Sequence, residues 1–128
     1  LSLFCNHVAG LGHDLLFLQR KAESDVVGRI REYVYYSHGD ESLSLRTIAA
    51  HVHLSASYVS RLFHRETGST ITHHINEVRV GRSKPLLATT KMTVSEICHA
   101  VGYRSLSHFT KTFGNVVGVS PKLYRLRE

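Results

Sequence analysis

Between Leu45 and Gly68 the apolar residues fall on one side of two successive short segments: Ile48, Ala49 and Val52 at i, i+1, i+4, then Val59, Leu62 and Phe63 at i, i+3, i+4. That is the spacing of helices with one buried stripe, so the stretch reads as helix, tight turn, helix. Ser55 stands at an N-cap position, its hydroxyl placed to accept from the free amides that follow, and Gly68 supplies a left-handed stop. Ser57, Ser60, Arg61 and His64 are left outward on the second helix. A short helix anchored from behind, with small polar groups and an arginine free, has the shape that enters a DNA major groove.

The same periodicity organises the rest of the chain. Leu1, Phe4, Val8, Leu11, Leu15 and Leu18 form a strict a/d seam, so residues 1–22 read as a dimerising or connecting helix, although Gly10 and Gly12 each cost it about 1 kcal/mol. Ser24 and Asp25 cap a further helix in which Val26, Val27, Ile30, Tyr33 and Val34 face inward, ending at His38-Gly39-Asp40, and Ser44 caps the next. Ile75, Val78, Leu86 and Leu87 mark a linker helix over 70–88, with a kink or early end expected near Ser83–Lys84 because Pro85 removes an amide and clashes with the Gly81 carbonyl. Thr93 and Glu96 make a T-x-x-E capping box ahead of Val94, Ile97, Cys98 and Val101, and Gly102 closes that helix. Ser105 caps a helix carrying Phe109 and Phe113, and Ser120-Pro121 opens a last one around Leu123 and Tyr124.

Laid over itself, the chain repeats. Ile48, Ala49 and Val52 recur as Ile97, Cys98 and Val101, while Ser55, Ser57, Val59, Phe63 and Gly68 recur as Ser105, Ser107, Phe109, Phe113 and Gly118. Two helix-turn-helix units joined by a helix can address successive major grooves, about 34 Å apart along a duplex.

Charge sharpens that reading. The chain of 128 residues carries a net +6, but residues 1–44 hold four basic against six acidic groups and residues 45–128 twelve against four. The basic part suits a polyanion. Cys5 and Cys98 match no metal or redox spacing, so both read as reduced thiols of a cytoplasmic protein. No apolar run is long enough for a membrane span, nothing resembles a signal peptide, and the start at Leu1 suggests a fragment whose missing part lies upstream.

These residues resemble the AraC/XylS family of bacterial transcription regulators. The resemblance rests on L-S-A-S-Y-V-S-R-L-F-H-R-E-T-G at 54–68, Arg79 to Leu87 as R-x-x-x-S-x-x-L-L, E-I-C-H-A-V-G-Y-R-S-L-S-H-F-T-K-T-F at 96–113, and S-P-K-L-Y-R at 120–125. It covers residues 26–127 and implies an all-α, seven-helix domain over 25–128, here preceded by the extra N-terminal helix. Its units would span 25–69 and 93–128 with the linker helix at 70–88. It also implies binding to double-stranded promoter DNA, most often as an activator. RNA polymerase and a second copy through residues 1–18 are candidate partners, and an effector would bind an absent upstream domain. Ser83, His74 and Pro85 depart from the family's alanine, tyrosine and helix-former at those positions.

The resemblance places base contacts at Ser57, Ser60 and Arg61 in the first reading helix and at Leu106, Ser107, His108, Thr110 and Lys111 in the second. Arg61 is suited to guanine O6 and N7, Lys111 to guanine, and Leu106 or the Thr110 methyl to a thymine methyl. Ser55, Arg65, Arg104 and Lys122 are the phosphate candidates, with the amides after Ser44, Ser55 and Ser120 as further ligands. Arg79 reads as a structural residue salt-bridged to Glu66 or Glu96. The competing reading is a protein-interaction or dimerisation module built on the Leu1–Leu18 heptad. The ten histidines show no metal-ligand spacing, no nucleophile–base pair or carboxylate dyad can be assembled, and so no metal, cofactor or enzyme activity is expected.

Overall fold

The computed structural model describes residues 2–128, with side chains from residue 15 onward. Among these residues there are seven helices and no strands: α1 (Ser2–Ser37), α2 (Leu45–Val52), α3 (Ala56–Thr67), α4 (Ile71–Thr89), α5 (Val94–Ala100), α6 (Leu106–Val117) and α7 (Pro121–Arg127). None is long and apolar enough to cross a membrane.

Each short helix starts where a hydroxyl meets its orphan amides. Ser44, Ser55, Thr70, Thr93, Ser105 and Ser120 accept from Thr47, Tyr58, His73, Glu96, His108 and Leu123 N–H groups, respectively. Substituting such a cap by alanine costs about 1 kcal/mol. The Thr93 box closes on one side only, since Glu96 Oε1 accepts from the Thr93 hydroxyl at 3.1 Å rather than from its amide.

Two cores form, one per unit. Ile30 and Val34 of α1 meet Ile48, Val52, Val59, Leu62 and Phe63 of α2 and α3; Ile97, Cys98 and Val101 meet Tyr103, Phe109 and Phe113 around α5 and α6. Helix α4 serves both, giving Ile71 and Ile75 to the first and Val80 and Leu87 to the second. Val80 lies five positions after Ile75, which turns the apolar stripe by about 140° around the helix axis. One helix therefore holds two cores on different sides, and Arg79 sits buried at the crossover.

The helix start at Ser24–Asp25 fails here, and, of the kink or early end at Pro85, the early end. The cap at Ser24–Asp25 does not start a new helix, because α1 runs unbroken from Ser2 to Ser37. Both residues are exposed, and a polar side chain facing water leaves a helix intact. Gln19 also bonds Glu23 across one turn at 3.3 Å. Nor does Pro85 end α4, which continues to Thr89. Pro85 and Gly81 are both exposed, while buried Val80, Ser83 and Leu87 hold the helix on its other side. Packing on both flanks outweighs the roughly 3 kcal/mol a mid-helix proline costs. The heptad positions Leu1, Phe4, Val8 and Leu11 lie outside the residues whose side chains are described.

Candidate nucleic-acid interface

Helix α3 buries Val59, Leu62 and Phe63, which leaves the opposite side to Ser57, Ser60, Arg61 and His64. At about 100° per residue these four fall within one stripe some 100° wide, and all four are exposed. Helix α6 repeats the arrangement: Phe109 and Phe113 are buried, while Ser107, Thr110 and Lys111 form the outward stripe. Leu106 stands in the first turn of α6 with 44% of its surface exposed, outside the second core. His108 lies on the flank of the stripe, its ring edge-on to Tyr103 at 5.2 Å.

The cationic candidates divide into two kinds. Arg61, Lys111 and Lys122 are exposed and make no ion pair among the described residues. Arg65, by contrast, is paired with Glu23 of α1 and, at 3.3 Å, with Glu66, and Arg104 lies 3.3 Å from Glu41. A phosphate at either of the latter would replace an internal carboxylate, so the net gain is smaller than for a free cation. Ser55 is exposed and caps α3 through a 3.2 Å bond from the Tyr58 amide.

What positions the second unit against the first was hidden in the sequence. Arg79 is structural, as read, but neither Glu66 nor Glu96 is its partner. Its Nε donates to the His38 carbonyl and its Nη2 to the Asp40 carbonyl, both at 2.9 Å, and its guanidinium lies 5.4 Å from the Tyr103 ring centroid. A helix end and a turn offer carbonyls with lone pairs to spare, the Asp40 carbonyl also accepting from the Leu43 amide at 3.1 Å, and the forked guanidinium takes two of them at once. Tyr103 in turn donates its hydroxyl to Asn76 Oδ1 at 2.9 Å. Burial pushes the Tyr103 phenol up to about 12, against the pull of Arg79, so it stays a donor. Asp40 accepts from the Ser42 hydroxyl and amide at 2.7 and 2.9 Å, bonds that hold its carboxyl below the usual range and shape the turn whose carbonyl Arg79 takes. A comparable clamp closes the far end, where Arg125 of α7 donates to the Leu87 and Thr90 carbonyls at 3.0 and 3.3 Å.

Gly102 completes this contact. Its φ is +105°, and a Cβ there would collide with the His38 carbonyl oxygen and lie 2.8 Å from Arg79 Nε. In the first unit the left-handed turn residue is His53, φ +59°, exposed to solvent. The two positions are 49 residues apart, the offset of the helices before them, so a histidine matched by a glycine was the available signal that something packs on the second turn.

Among the described residues no three His, Cys, Asp or Glu side chains gather into a metal-binding group. His74, where the family pattern has tyrosine, is half-buried against Phe63 with ring centroids 5.3 Å apart, and its Nε2 has no partner. Burial, with Arg31 nearby, lowers its pKa.

A family model described as a helix-turn-helix domain matches residues 48–127. The chain belongs to the AraC/XylS family of transcription regulators. Of its AraC/XylS relatives, the melibiose operon regulatory protein of Escherichia coli K12 is 36% identical over 86 residues, covering 67% of this chain but only 28% of that protein. The C-terminal domain of AraT, a response regulator from Geobacillus stearothermophilus, superimposes with a TM-score of 0.78 at 30% identity, covering 80% of this chain and 85% of that one. The DNA-binding domain of AdpA, solved in complex with a target DNA, gives 0.74 at 25% identity, covering 79% and 90%.

Proposed function

We propose that this AraC/XylS domain binds double-stranded promoter DNA sequence-specifically, with α3 and α6 entering successive major grooves. The observation that carries this reading is the repeated helix whose buried stripe is backed by its own core and whose opposite stripe is polar and exposed. The likeness to the DNA-bound AdpA domain supports it. Arg61 addresses guanine O6 and N7 from α3, with Ser57 and Ser60 beside it acting through water. From α6, Lys111 addresses guanine, Leu106 or the Thr110 methyl meets a thymine methyl, Ser107 lines the same face and His108 donates to a base edge or phosphate. Ser55, Arg65, Arg104 and Lys122 hold the backbone. The whole regulator would act as an activator that engages RNA polymerase, its effector bound in a part outside this chain.

Selection of bound duplexes from a random pool supplies the probe. Arg61→Ala and Lys111→Ala then each relax discrimination at a different end of the selected site, by about 1–3 kcal/mol, and affinity falls steeply with salt. Uniform weakening across all sequences overturns base reading by these two residues.

A second reading, self-association through the N-terminal part of α1, has one specific observation behind it. Leu15, Leu16, Phe17 and Leu18 are each 57–64% exposed, and four consecutive residues cover the whole circumference of a helix. Analytical ultracentrifugation with and without residues 1–22 tests it: loss of a dimer on truncation supports the reading, and a monomer in both cases overturns it.

A further inference from the structure

We infer that Arg79, with Gly102 and Tyr103, acts as the spacer that sets which separation of two half-sites this domain accepts. The inference rests on the two-groove reading above. A protein that reads two grooves must fix both the distance and the rotation between its reading helices. One added base pair moves a half-site by about 3.4 Å and turns it by about 35°. A single linking helix would leave that relation to the bending of α4, which is weakest near exposed Gly81 and Pro85.

The structure places a second connection beside α4. The turn after α5 (Gly102–Tyr103) belongs to the second unit, and the loop after α1 (His38–Asp40) belongs to the first. Their backbones meet with no side chain between them, because Gly102 lies against the His38 carbonyl and a Cβ on Gly39 would lie 3.1 Å from the Ala100 carbonyl oxygen. Arg79 projects from α4 into this junction and binds the loop through two carbonyls, so loop, linker and turn share one side chain. Its face on the second unit is the Tyr103 ring, which is itself pinned to α4 through Asn76. Loop and linker are thus fixed at two points and the turn at two, which removes the hinge freedom that one helix would allow. The exposed pair Arg104–Glu41, at 3.3 Å, spans the same junction from outside. None of Arg79, Gly102 and Tyr103 lies on the outward stripes of α3 or α6, so their effect on DNA is through placement.

The test uses the duplex selected by the unaltered chain, together with derivatives carrying one base pair added or removed between the two segments protected in a hydroxyl-radical footprint. The unaltered chain binds the altered spacings at least about tenfold more weakly, comparable to a mismatched base pair. Arg79→Lys, which keeps the charge but cannot bridge two carbonyls, narrows that ratio to about threefold or less. Tyr103→Phe, which keeps the ring and loses the hydroxyl's bond to Asn76, narrows it partway and remains informative if the lysine variant unfolds on a thermal melt. Both variants still distinguish the selected half-site sequences from scrambled ones, a readout that general loss of structure would not spare. A folded variant that discriminates spacing as sharply as the unaltered chain overturns the spacer role alone. A footprint confined to one groove overturns the two-groove reading and the spacer with it.

Discussion

The two helix-turn-helix units share a local pattern yet differ in what surrounds the turn. In the first, His53 adopts the left-handed conformation in solvent; in the second, Gly102 adopts it against the His38 carbonyl and Arg79. The turn geometries differ too: φ at His53 is +59°, inside the left-handed well that a side chain tolerates at a strain of about 1–2 kcal/mol, whereas φ at Gly102 is +105°, beyond it. At the second turn both the backbone conformation and the backbone packed onto it exclude a side chain. The cores differ as well. The first is aliphatic around Phe63, whereas the second strings Tyr103, Phe109, Phe113 and Tyr124 together at centroid distances of 5.4, 5.8 and 5.7 Å.

The largest expected difference lies at the turns. Gly102→Ala adds left-handed strain to a collision with backbone and destabilises by about 3 kcal/mol, while His53→Gly, in open solvent, changes stability by under about 1 kcal/mol. Chemical denaturation of both variants measures the contrast, and equal effects would show that the second turn can give way. The cores come next. Phe109→Leu loses ring contacts with two aromatics, edge-on with Phe113 and tilted with Tyr103, and Phe63→Leu only the tilted contact with His74, so the former costs about 1 kcal/mol more at pH 7, by the worth of one aromatic pair.

The caps sharpen the comparison by their sameness. The Ser55 and Ser105 hydroxyls accept from Tyr58 and His108 amides at 3.2 Å each, and alanine at either should cost about 1 kcal/mol. A clear inequality would mean that one helix start is held by something besides its cap.

The smallest effect belongs to the first unit alone. Because the folded state lowers the His74 pKa, the unfolded chain binds the proton more readily in the interval below the ordinary histidine value of about 6.5. Stability therefore falls as pH drops through that interval and is unaffected by this group above it. His74→Phe removes that part of the slope in melts between pH 7 and 5; an unchanged slope would assign the acid sensitivity to other groups.

Read from residues alone, the chain already declared most of its local structure. Ser44, Ser55, Ser105 and Ser120 mark helix starts, Gly68 and Gly118 mark stops, and the stripes ending in Phe63 and Phe113 say which sides are buried, because capping and amphipathic spacing act within four residues. The outward positions Arg61 and Lys111 follow from the same geometry. Tertiary structure decided the rest. Whether Pro85 stops a helix and which groups Arg79 binds turn on contacts between residues far apart in the chain, such as Arg79 with His38 or Arg125 with Leu87. Local propensity carries no record of those free energies, and one such contact can offset a proline or require a glycine. The two reading helices are written in the sequence; their relation to each other is held by a junction of backbone carbonyls, one arginine and a residue with no side chain.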